Sequence, residues 1–124
     1  PGDTFKPEVA PLGEEPVFEK SVNSAFIGTD LEDHLTHCSV GDLVICGLTT
    51  PHCVSTTSRM AANLGFAVRL AFDACAAFAA NVRMDWAPGL AVPDPEAVHN
   101  AAIGHLHGEF CRALSTDAIL TEGP

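Results

Sequence analysis

Cys53 closes the stretch Gly47-Leu48-Thr49-Thr50-Pro51-His52-Cys53, directly after the apolar run Leu43-Val44-Ile45-Cys46. A thiol at the point where a strand turns into a helix invites a chemical reading. If Thr50 caps the helix and Pro51 is its first residue, Cys53 takes the third helical position. The free N–H groups and the positive end of the helix dipole then favour its thiolate. The same N–H groups can receive a negative oxygen developing on a carbonyl carbon bound to sulfur. The logic is that of a nucleophile elbow with cysteine in place of serine. Lys20 is the natural companion. It is one of two lysines in the chain, with Lys6, and it ends the short run Pro16-Val17-Phe18-Glu19-Lys20. If that run and the strand before Cys53 are neighbours, the ammonium reaches the sulfur and stabilises its charge. The plain alternatives are a structural cysteine at a helix start and an ordinary lysine at a strand end.

The histidines are a weaker basis for chemistry. His34 and Cys38 stand four apart on one helix face with His37 beside them, while His105 and His107 stand two apart and point to different sides. Neither set offers three convergent ligands, so no metal and no cofactor is expected. His52 precedes Cys53, but adjacent residues on a helix do not face each other. Asp73 closes an apolar run and is expected to bond nearby backbone.

The bulk composition narrows the classes. The chain has 124 residues, one domain's worth, and 47% of them are apolar. Sixteen acidic residues against six basic ones give a formal net charge of −10. The basic residues (Lys6, Lys20, Arg59, Arg69, Arg83 and Arg112) form no stripe, so neither nucleic acid nor an anionic membrane is an expected partner. No run of about 18 apolar residues and no secretory-type start is present, and a cytoplasmic location is the expectation. The cysteines (Cys38, Cys46, Cys53, Cys75, Cys111) are odd in number and contain no Cys-x-x-Cys pair. Cys46, Cys75 and Cys111 sit among apolar residues and read as buried thiols, a pattern of reducing compartments. Cys53 differs from these three in having polar neighbours.

The elements that must position Cys53 and Lys20 follow from the pattern. Residues 1–15 are rich in proline and glycine and read as a loop, and their turn-rich opening suggests the interior of a longer protein. Pro16–Lys20 reads as a strand. Thr29 or Asp30 caps a helix through Leu31, Leu35 and Cys38. Leu43–Cys46 reads as a strand covered on both faces. Pro51–Leu64 reads as a helix ended by Gly65. Phe66–Phe72 is the next strand, closed by Asp73, and residues 79–94 are irregular. Asp94 caps a helix that has Pro95 at its first position and an apolar stripe of Val98, Ala102, Ile103, Leu106 and Phe110. Cys111–Thr116 is a last strand, and Asp117–Leu120 adds a helical turn. The alternation predicts an α/β fold, a parallel sheet with helices on both faces. In such sheets the active crevice lies at the carboxyl ends of the strands, where Lys20 and Cys53 both fall.

Together, "FEKSVNSAFIGTDLEDHL" and "LVICGLTTPHCVSTTSRMAANLGFAV" resemble the isochorismatase-like cysteine hydrolases, the family that includes nicotinamidases and N-carbamoylsarcosine amidohydrolase. The likeness runs from about Phe5 to the C-terminus. It implies a Rossmann-like three-layer α/β/α fold and an Asp–Lys–Cys triad in which Lys20 takes the lysine position and Cys53 the nucleophile position. It also implies a non-proline cis peptide between Leu48 and Thr49, with the amides of Thr49 and Cys53 forming an oxyanion hole. The implied reaction is hydrolysis of a small amide or related C–N bond through a Cys53 thioester. The family aspartate lies upstream of the lysine, and Asp3, Asp30, Asp42 and Asp73 do not match its motif. Residues 1–124 are therefore expected to be the C-terminal part of a single domain, with the first strand, its helix and the second strand outside it. A small-molecule substrate, a homo-oligomer and dependence on an N-terminal segment are the corresponding expectations. The alternative is a non-catalytic binding or assembly subunit, or an inactive incomplete chain, of the same fold.

Overall fold

A computed structural model describes residues 4–124. Three parallel strands, β1 (Asp42–Leu48), β2 (Ala67–Ala76) and β3 (Arg112–Leu114), lie side by side in sequence order. Helix α2 (Ser55–Asn63) joins β1 to β2, and α3 (Pro95–Leu106) lies between β2 and β3. Right-handed crossovers in one direction put both helices on one face of the sheet. Alternation along the strands sends Leu43, Ile45, Val68 and Leu70 to that face. There they pack with Phe26, Val54, Ala61 and Leu106, and Leu31 and Leu35 of α1 (Leu31–His37) close the cluster. Helix α4 (Thr116–Glu122) packs against the opposite face, where the Arg69 guanidinium donates to the Gly123 carbonyl at 2.8 Å and Ala71 is buried. The α/β class with helices on both faces is thus the observed one.

Local signals held where one residue does one job. Asp94 caps α3, its Oδ1 accepting the Ala97 N–H at 2.8 Å with Pro95 at the first helical position. Gly65 follows α2 at φ +99°, a conformation an L side chain resists, and the chain turns there into β2. At α1 it is Thr29 Oγ1, not the Asp30 side chain, that accepts the Leu31 N–H.

Four expectations are corrected. Pro16–Lys20 is not a strand: it pairs with no other segment among the described residues, Pro16 cannot donate to a ladder, and only Phe18 is partly covered, against the His34 ring. β2 continues past Asp73 to Ala76, because its register with β1 breaks between Ile45 and Gly47 and resumes at Cys75 and Ala76. Asp73 instead accepts from both the N–H and the hydroxyl of Thr116, which holds its carboxyl below the usual range. The last strand is only Arg112–Leu114, since Ser115 already caps α4 through the Ala118 N–H. Cys46 is exposed rather than buried.

Cys46 is exposed because β1 is an edge strand among the described residues and α4 does not reach its outer row. Val44 and Leu48 share that row and are 49% and 58% exposed. An unpaired apolar edge is a template for association. The isolated 124-residue chain is expected to self-associate, and V44K/L48E is expected to reduce this in light scattering at matched concentration. Equal scattering by both proteins would place the association surface elsewhere.

Candidate active site

The turn after β1 sets the geometry. The Leu48–Thr49 peptide is cis, and Thr49 is extended at φ −102°, ψ 152°. Residues Thr50–Val54 then form a wide turn of π type that runs into α2, with the N–H groups of His52 and Val54 both donating to the Thr49 carbonyl at 3.2 Å. Thr50 therefore does not cap the helix, as its local sequence suggested. Its side chain is fully buried, with Oγ1 2.7 Å from Nδ1 of His99 on α3. Cys53 lies inside the turn rather than at a third α-helical position, immediately ahead of α2, and is half-buried.

Lys20 reaches the sulfur without a strand to carry it. Its Nζ stands 3.3 Å from Cys53 Sγ and also donates to the Val22 carbonyl at 2.9 Å. The loop that bears it is fastened to α2. The Ala25 N–H donates to Thr57 Oγ1 at 3.0 Å, one helical turn beyond Cys53. Ser24 is buried, with Oγ 2.9 Å from Met60 Sδ, and Phe26 stacks on Phe66 in the core. Asn23 belongs to the same loop, and its Nδ2 lies 3.6 Å from the sulfur.

A second clamp comes from the turn Ala79–Asn81. Asn81 Nδ2 donates to Thr49 Oγ1 at 3.1 Å and lies 3.3 Å from Nδ1 of His52, while its Oδ1 accepts the Phe78 N–H. His52 is thus turned toward Asn81. A cleft of about 180 Å³ opens beside the sulfur, lined among others by Lys20, Cys46, Leu48, Cys53 and Thr57.

Cys53 and Lys20 are brought together, and Thr49 begins the same turn. Sequence reasoning missed Asn23, Thr57 and Asn81. The first two sit in polar runs whose pairing only the fold reveals, and Asn81 arrives from beyond β2. The histidine sets stay apart: His34 Nε2 and Cys38 Sγ are 3.9 Å apart, and no group of three or more metal-type ligands exists among the described residues. Burial pushes the Cys75 and Cys111 thiols up, which leaves them poor nucleophiles. No carboxylate hydrogen-bonds Cys53 among the described residues, so the family aspartate has no counterpart touching this sulfur.

Comparison with known proteins agrees with this fold. The isochorismatase domain family matches residues 1–118. An isochorismatase family protein of Bacillus subtilis, YrdC, is 44% identical over 121 residues, covering 98% of this chain and 62% of that protein. Streptothricin hydrolase of Streptomyces noursei is 33% identical, covering 82% of this chain and 39% of that enzyme. The crystal structure of an isochorismatase-family protein from Chromobacterium violaceum superposes with a TM-score of 0.85 at 41% identity, covering 98% of this chain and 60% of that one. The chain belongs to the isochorismatase family. It spans about three-fifths of the length of the first two of these three in identity, YrdC and the Chromobacterium protein. The narrower expectation of a C-terminal portion only is not borne out by these matches, which run along nearly the whole chain. No helix among the described residues is long and apolar enough to cross a membrane.

Proposed function

We propose that this chain carries the nucleophile of a cysteine hydrolase that cleaves a small amide or related C–N bond. The observation that carries the reading is the 3.3 Å contact between Lys20 Nζ and Cys53 Sγ beside an open cleft. An ammonium at that distance stabilises the thiolate, which is the attacking form. The sulfur adds to the substrate carbonyl, and the negative oxygen that develops is received by the backbone N–H groups of Thr49 and Cys53. The C–N bond breaks, the amine leaves with the proton the thiol gave up, and an acyl thioester remains on Cys53. Water then attacks the thioester: its oxygen and one proton leave in the carboxylic acid, its other proton returns to the proton carrier, and the C–S bond breaks to restore the thiolate. The carrier of the proton between thiol and amine is a group other than Lys20 and Asn23, and the family resemblance gives that task to an aspartate. Streptothricin hydrolase is a hydrolase by name, which supports the reaction class without naming a substrate here.

The test is to incubate the protein with a panel of small amides, quench in acid during turnover, and measure the mass of the Cys53 peptide. Amine release together with an acyl adduct on Cys53 is expected. Turnover with an adduct-free Cys53 and no burst overturns the covalent route. Saturable binding with no amine released points to a binding member of the family.

A further inference from the structure

Among the described residues the sulfur of Cys53 has two donors, and only one of them is a charge. Asn23 Nδ2 approaches it to 3.6 Å from the same loop that brings Lys20 to 3.3 Å. An amide N–H at that distance is directed at a sulfur that accepts, which a thiolate does strongly and a neutral thiol weakly. Asn23 is also held in place. Its carbonyl faces the Thr57 hydroxyl at 3.5 Å, and the next two residues are fastened by the buried Ser24 hydroxyl and by the Ala25 N–H on Thr57. A side chain anchored one residue away from a buried position has little freedom to leave the sulfur. The Lys20 ammonium, in contrast, divides its donors between the sulfur and the Val22 carbonyl.

We propose that Asn23 is a second thiolate-stabilising residue, a neutral donor that keeps Cys53 in its reactive form alongside Lys20. This rests on Cys53 being the nucleophile of the reaction proposed above, but its readout is the thiol itself and not turnover. The groups facing the sulfur are Lys20 and Asn23, with His52 turned to Asn81 and no carboxylate in contact among the described residues. A change at Asn23 is therefore read against a single nearby charge.

The experiment is iodoacetamide labelling of Cys53 as a function of pH, followed by peptide mass spectrometry to separate it from the other four cysteines. N23L and N23S each remove the amide at an exposed loop position, and N23D replaces the donor with an anion. Protection of the buried Cys111 in the same samples reports the fold. For N23L and N23S the labelling curve is expected to move to higher pH, with labelling at pH 7 slowed about threefold to tenfold, the range for losing one ordinary hydrogen bond, because the contact is exposed and 3.6 Å long. N23D should move it further. Curves that coincide with wild type in whichever of N23L and N23S retains Cys111 protection overturn the proposal. A shifted curve in a protein that hydrolyses no amide leaves Asn23 as thiolate donor standing and removes the hydrolase reading instead.

Discussion

Cys53→Ala is expected to lower amide turnover about a thousandfold or more while leaving the fold intact. The size follows from what is lost. Without the sulfur no acyl thioester forms, and the reaction must proceed by direct attack of water in a cleft built around a covalent step. A thousandfold loss corresponds to about 4 kcal/mol of barrier. The fold has little reason to respond. Cys53 is half-buried in a turn, the turn's own bonds run from His52 and Val54 to the Thr49 carbonyl, and the neighbouring Val54 supplies the packing. Steady-state amine release with circular dichroism on the same samples checks both halves. Retention of more than about a tenth of the wild-type rate, a barrier change below about 1.4 kcal/mol, would remove Cys53 from the nucleophile's role.

The parts of this site that could be read from sequence are those fixed by short-range chemistry. A strand that ends in Gly-Leu-Thr-Thr-Pro-His-Cys has few ways to place its thiol, and a proline after a capping aspartate opens a helix wherever it occurs, as Asp94 and Pro95 do. What failed depended on neighbours. Pro16–Lys20 has the apolar composition of a strand, yet a strand is a pairing, and no described strand pairs with it. Cys46 has the surroundings of a buried thiol in sequence, but among the described residues the outer row of β1 has no helix over it. The same dependence hid Asn23 and Asn81. Each lies in a stretch without periodicity, and its contact with the turn is made across roughly 30 positions in the chain. Thr50 shows the converse error. Its type suits a cap, but a buried partner, His99, takes its hydroxyl for tertiary packing.

Lys20→Met is expected to slow Cys53 alkylation at pH 7 roughly tenfold and to lower amide turnover at least as much. At 3.3 Å an ammonium and a thiolate attract by about 1 kcal/mol in bulk water and about 5 kcal/mol at an effective dielectric of 20. Lys20 is exposed, so the water-like end of that range governs, and roughly one factor of ten is the appropriate scale. The substitution also removes the bond to the Val22 carbonyl, so a control must separate charge from loop geometry. Lys20→Arg keeps the charge on a planar, longer head and should recover part of the lost reactivity. Lys20→Gln keeps a neutral donor and should recover less. Raising the salt concentration should shrink the gap between wild type and Lys20→Met, because an exposed pair is screened. A loss that came only from loosening the loop would give the opposite pattern, with arginine, glutamine and methionine equally impaired and salt without effect. If labelling-versus-pH curves of wild type and Lys20→Met coincide, the ammonium does not support the thiolate, and Lys20 is an ordinary surface lysine that happens to lie beside a cysteine.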